Sequence, residues 1–358
     1  MRLFTIGAVT LGMLVLLPVG WAVSGETSDG SRFYQISLNP EEDAAQGGAA
    51  EAGKVRPPCP REQECCGCQQ CRCDPQCGPL WTVTVDLLAL ERVGAPNVTL
   101  IRNCRTYQEL LNAKDFHLGS KGGPRLSLSR HGECGIDIEF VYFAIDGWWD
   151  SQSRNSPDDV RFDAPFFWAV ASQNCPMRFD WTSKLYNAEL NLWMSRCGSW
   201  RLLAGLRFVE LRESLIGGIP GGADPFWTTS TDNHLYGFQV GADATLWDRG
   251  GPFYVTGVLK AGVYANHAQQ FSACPPLAES AVAEVNHAAF LGEMGITGYY
   301  RLSDCAALRL GYEMIWLQGV AVAPGQVHVS DIGHGVGFVD TNGAVFYHGL
   351  LAGIEVSF

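Results

Sequence analysis

Two groups of residues in this sequence have the types and spacing to do chemistry. The first lies in CPREQECCGCQQCRCDPQC, which carries Cys59, Cys65, Cys66, Cys68, Cys71, Cys73 and Cys77. Cys68-x-x-Cys71 has the form of half a zinc site, yet the adjacent Cys65-Cys66 and the single-residue gaps fit no standard four-ligand spacing. In an exported protein such a cluster reads first as disulfides. The second group is Asp232-Asn233-His234, with Asp158-Asp159 earlier in the chain. A carboxylate two residues before a histidine can orient the ring for general-base catalysis, as a protease at a membrane rim would need. The same letters make ordinary turn chemistry, which is the expectation adopted. No Gly-x-Ser-x-Gly elbow, phosphate loop or His-Glu-x-x-His occurs. The sequence thus points to a non-enzyme without metal or cofactor.

What such groups do depends on the compartment. MRLFTIGAVTLGMLVLLPVGWAVSG has one basic residue, a short apolar run and a small-residue exit near Ala22-Val23-Ser24. That is the layout of a signal peptide, expected over residues 1–24. Pro18 and Gly20 cut the run short of the roughly 20 residues that a spanning helix requires. Residues 25–79 read as a flexible acidic spacer followed by the cysteine-rich arm, and 80–358 as one folded unit. A formal charge of −12 argues against nucleic acid or an anionic surface as partner.

From residue 80 the apolar pattern has period two. Ten segments carry it: 80–91, 125–130, 135–146, 182–195, 200–213, 234–247, 253–265, 287–302, 305–318 and 344–358. HGEC, RCGS, DRGGP and SD form four short connections between them, with the residue types of hairpin turns. The other five connections, near 92–124, 147–181, 214–233, 266–286 and 319–343, are long. Strict alternation of short and long is the layout of an outer-membrane barrel, with short periplasmic turns, long outer loops and an even strand number. The expected fold is all-β: a closed antiparallel transmembrane β-barrel of about ten strands. Its last strand closes on its first, because lipid does not tolerate an open edge. The first strand, LWTVTVDLLALER, has the least certain pairing.

In this frame the cysteines sort by side. Cys134, Cys197 and Cys305 occupy three of the four short turns, so the cluster is expected to staple beneath the barrel through one or more of them. Cys104, Cys175 and Cys274 fall in long outer loops, where two could pair. Thirteen cysteines is an odd number, which leaves a free thiol or an intermolecular bridge. The aromatics sort by height. Trp81, Trp200, Phe253, Tyr300 and Phe358 come at the periplasmic ends of apolar faces, and Tyr142, Tyr186, Phe208, Tyr236, Phe290, Trp316 and Phe346 near the opposite ends. These are two interfacial girdles. The opposite faces collect Asp86, Glu139, Glu189, Arg207, Asp243, Lys260, Glu293, Arg309, Glu313 and Glu355. A shifted register would aim Arg207, Lys260 and Arg309 at lipid, at about 2–4 kcal/mol each near the midplane. Buried charges must pair, for instance Arg207 with Glu189 or Arg309 with Glu293.

Several runs in this order resemble the beta-barrel porin-7 family of bacterial outer-membrane proteins: SKLYNAELNLW with WRLLAGLRFVELRESL, NHLYGFQVGA, KAGVYAN, FLGEMGITGYYRLSD with LRLGYEMIWLQGVAVAPGQV, and VFYHGLLAGIEVSF. They cover roughly 180–358, and more faintly from 124. The resemblance implies a porin-like barrel and brings no catalytic residues. The aromatic Phe358 also resembles the terminal signal read by the barrel-assembly machinery.

The expected partners are outer-membrane lipid, that assembly machinery, and the cell wall or another envelope protein through the arm. The expected work is structural, or narrow passive passage of small solutes with a cation preference set by the excess of acids. A lumen of this size is usually filled by side chains, which favours a packed network over a conduction path. A rim protease using Asp232 and His234, and a soluble secreted all-β binding protein, are the alternatives.

Overall fold

The computed structural model describes residues 79–132, 135–164, 170–171, 174–195, 199–222 and 224–358. The signal segment, the spacer, the cysteine cluster, Cys134 and Cys197 lie outside the described residues. Ten strands close into one antiparallel barrel: β1 (Trp81–Val93), β4 (Ser120–His131), β5 (Ile136–Arg154), β8 (Met177–Ser195), β9 (Trp200–Gly218), β10 (Trp227–Asp248), β11 (Phe253–Cys274), β12 (Glu279–Ser303), β13 (Ala306–Val320) and β14 (Gly343–Ser357). All ten expected segments are present in order. β1 is fully paired on both sides, from Thr82↔Ser357 to Val93↔Phe346 against β14 and from Trp81↔Arg130 to Glu91↔Ser120 against β4. The barrel has no seam left open.

Strand periodicity explains the wall. Along β14, Val345, Tyr347 and Leu351 are buried while Leu350, Ile354, Val356 and Phe358 are exposed, so successive residues face in and out. The strands run further at the long-loop end than their apolar pattern predicts. β10 begins at Trp227 rather than 234, β11 ends at Cys274 rather than 265, and β12 begins at Glu279 rather than 287. In these extensions the outward face turns polar (Ser230, Asp232, His267, Gln269, Glu284, Asn286), so the alternation fades although the backbone ladder continues.

The long connections fold into the mouth. Four short strands, β2 (Thr99–Asn103), β3 (Glu109–Asn112), β6 (Val160–Phe162) and β7 (Val170–Ala171), make a second sheet in the order β3-β2-β6-β7. Its buried Leu100, Ile101, Leu111, Val160 and Phe162 join Trp148, Phe179, Trp181 and Trp227 of the barrel in one apolar core. A strap between β13 and β14 adds Val322, Ala323, Val327 and Ile332 to it. The end bearing the long loops is therefore packed shut.

Candidate functional site: the plugged and charged lumen

Each inward-facing row of side chains meets another from across the barrel, and three layers result. In the upper layer, Glu213 of β9 accepts hydrogen bonds from Arg92 (2.5 Å), Ser183 (3.1 Å), Trp181 (3.3 Å) and the Ala323 N–H of the strap (3.1 Å). Asn233 of β10 donates to the Ala321 carbonyl at 2.8 Å and accepts from its N–H at 2.7 Å. Asn266 of β11 donates to the Gly319 carbonyl at 3.0 Å, and Gln270 to Ser330 Oγ at 2.7 Å. Three inward polar side chains on three neighbouring strands, Glu213, Asn233 and Gln270, thus stitch the strap down, and Asn266 holds the end of β13 from which it leaves. Their partners are strap and β13 backbone, the Ser330 hydroxyl and neighbouring side chains, which is how a polar row can line an apolar plug.

The middle layer is ionic. Lys260 Nζ lies 2.9 Å from both Glu189 and Glu293, and Arg207 lies 2.6 Å from Glu293 and 3.6 Å from Glu189. Asn187 accepts from Arg207 at 2.6 Å, while Gln239 and Asn191 donate to Glu189 at 2.9 Å and 3.1 Å. Arg125 pairs with Glu313 beside them. Two bases set against two acids, with side-chain amides also donating to Glu189, is the arrangement that makes buried charge tolerable.

The lower layer faces the short turns. Arg309 meets Asp86 at 3.4 Å, not Glu293 as expected from the sequence. The cause is register: Asp86 and Arg309 both pair with Gly353 of β14, which has no side chain to keep them apart. Arg201 pairs with Asp243 and approaches Asp137 at 3.6 Å, and Glu139 accepts from Trp193 at 2.8 Å. Tyr254, Arg301, Cys305 and Glu355 line an open cavity of about 240 Å³ at this end.

All ten charges expected in the lumen lie on inward-facing positions. Arg92, Asp137, Arg201, Glu213 and Arg125 were missed. Arg201 and Glu213 share the parity of Arg207, and Arg125 opposes the outward Leu126, so the same two-residue rule finds them. Arg92 lay just beyond the expected end of its strand.

The expected girdle residues lie on the outer face, near the two ends of the apolar wall. Phe208 packs on Tyr236 at 4.9 Å and Phe290 on Trp316 at 6.1 Å between ring centroids. Asp232 and His234 are on the outer face as well. Asp232 is 3.3 Å from Arg212, and His234 stacks on Phe208, while the residue between them points inward to hold the strap. Asp158 pairs with Arg105 at 3.7 Å in the loops. Cys104, Cys175, Cys274 and Cys305 carry free thiols, so the three outer-loop cysteines form no disulfide with one another. Burial pushes the Cys104 and Cys274 thiols up, away from the reactive thiolate. Among the described residues no cluster of His, Cys, Asp and Glu could hold a metal ion.

No family model matches the chain, and no curated protein matches it. Solved structures resemble it in fold. The outer membrane protease OmpT from Escherichia coli shares 12% identity over 78% of this chain and 96% of its own, with a TM-score of 0.49. The translocator domain of the autotransporter NalP from Neisseria meningitidis shares 10% over 80% and 90%, at 0.39. The P. putida toluene transporter TodX shares 9% over 78% and 90%, at 0.26.

Proposed function

We propose that this protein is an integral outer-membrane β-barrel, closed to free passage, whose work in the cell envelope is structural. The observation that carries this is the inversion of polarity across the wall. Apart from Glu91 and His348 just below Phe346, outward residues between the two aromatic rows are apolar and bare, with Leu259 60%, Val263 66% and Leu310 63% exposed, while the ion pairs are inside. An apolar belt of this extent in water would be an aggregation site, whereas in lipid it is at rest. Its height fits. From Phe253 to Val263 on β11 the outward face holds Phe253, Val255, Gly257, Leu259, Ala261 and Val263. Ten residues span about 33 Å along the strand, or about 25 Å upright at a barrel tilt near 40°.

The orientation follows from the connections. The short turns belong on the periplasmic side, where β1 begins, so the cysteine-rich arm leaves the barrel there. In that compartment its thiols are expected as disulfides. The porin-7 likeness is retained for the architecture it implies, without the open channel. The strap and the Lys260–Arg207 network support closure. The test is twofold. Detergent-extracted protein should show heat-modifiable gel mobility, and the same protein in planar bilayers should stay electrically silent. Stepwise openings would instead make it a narrow pore, and a monodisperse species in plain buffer would refute the membrane assignment.

A further inference from the structure

At the long-loop end of β12 the in-out alternation of the wall fails. Glu284, Val285, Asn286, His287 and Ala288 of β12 are all exposed, on both faces of the strand. Pairing of β12 with β13 begins only at Phe290↔Gln318, so the edge beyond it lacks its neighbour strand. The end of β13 covers one end of this edge and chain from the strap the other. Gly319 approaches so closely that a Cβ would sit 2.7 Å from the Ala288 carbonyl oxygen, and one at Gly337 would sit 2.7 Å from the Val282 carbonyl carbon. Both covered carbonyls belong to even-numbered residues. By strand alternation Glu284 and Asn286, between them, direct their own N–H and C=O the same way. Among the described residues no backbone hydrogen bond reaches them from that side. Four backbone groups stand open, which a protein normally blunts because such an edge recruits another strand.

Charge indicates what could fill it. No lysine or arginine occurs from 261 to 300 or after Arg309, while Glu279, Glu284 and Asp331 surround the edge. Exposed apolar groups flank it, Val282 at 68% and Phe338 at 57%. A second copy of this chain would set acid against acid. We infer that Glu284–Ala288 is a docking edge for an extended cationic segment of a partner protein at the cell surface, which adds to β12 as a short strand. This rests on the membrane assignment above, which puts the edge outside the lipid, above the Val263–Phe290 level. In strand addition the main chain supplies affinity and alternate side chains supply choice.

The probe is a fluorescent seven-residue peptide alternating lysine and valine, titrated by anisotropy against the full-length protein in lipid nanodiscs. It should bind at least tenfold tighter than a glutamate-for-lysine peptide, and than the same peptide N-methylated at alternate residues. Asn286→Pro deletes the edge N–H without touching the β11 ladder and should weaken binding tenfold or more, whereas Asn286→Ala should bind like the parent. Glu284→Lys, an exposed change that leaves the backbone intact, should also weaken it. Equal binding of the N-methylated peptide, an unaffected proline variant or no binding at all would overturn the docking edge. Failure of the membrane assignment would appear separately, as protein that never enters the nanodisc.

Discussion

Lys260 is the charge around which the middle of the lumen is organised. It lies between two buried carboxylates that Arg207 alone could not neutralise. Lys260→Met should therefore cost about 3–5 kcal/mol, the usual result of stranding a buried charge. A lowered urea midpoint of the refolded barrel in detergent measures it. Adding Glu189→Gln alone, which leaves Arg207 paired with Glu293 at 2.6 Å, should return much of the loss, because one base then again faces one acid and no charge is stranded. Asn233 makes a different case. Asn233→Leu removes both bonds to Ala321 and should speed proteolysis between 319 and 343 while the barrel stays heat-modifiable. At this scale, period two reveals which side chains face inward, and Lys260 needed nothing more. It does not reveal whom they meet. Arg309 finds Asp86 across Gly353 because a side chain is missing there, and only the register of three strands discloses that. Likewise Asp232 and His234 drew notice as potential chemistry, while the residue between them does the holding.

At the scale of the strand, neighbours in sequence live in opposite solvents. Leu259 faces outward and Lys260 inward, one residue apart on β11. Leu259→Arg should cost about 2–4 kcal/mol in a bilayer, the penalty for a charge at mid-depth on the lipid face. Folding titrations into lipid vesicles would check it, and a change below about 0.5 kcal/mol, ordinary for a water-exposed surface site, would count against the membrane assignment. The barrel strands were legible because their alternation is long and their turns are marked by glycine, aspartate and serine. The short strands β2, β3, β6 and β7 were not, since two to five residues hold too few alternations to register as a pattern. Nor were the outer extensions of β10, β11 and β12, where polar residues occupy the outward face and the contrast that marks a strand disappears.

For the whole molecule, closure at the outer end and charge along the axis are what the proposed reading, a wall rather than a conduit, rests on. The loop sheet and strap bury an apolar core in the mouth, and the ionic layer fills the section beneath it. The electrical silence expected in planar bilayers belongs to this scale, as no single side chain determines it. A further consequence comes from β1 meeting β14. The two halves of that seam lie more than 250 residues apart in the chain, with Thr82 beside Ser357. Closing so long a loop is slow, and it must wait until synthesis has delivered the final strand. Every earlier hairpin therefore exists for a time as a curled ribbon with two raw margins. Under the proposed membrane assignment those margins must be kept from other chains until β14 arrives, and the fifteen residues Gly343–Ser357 are the zip that ends their exposure.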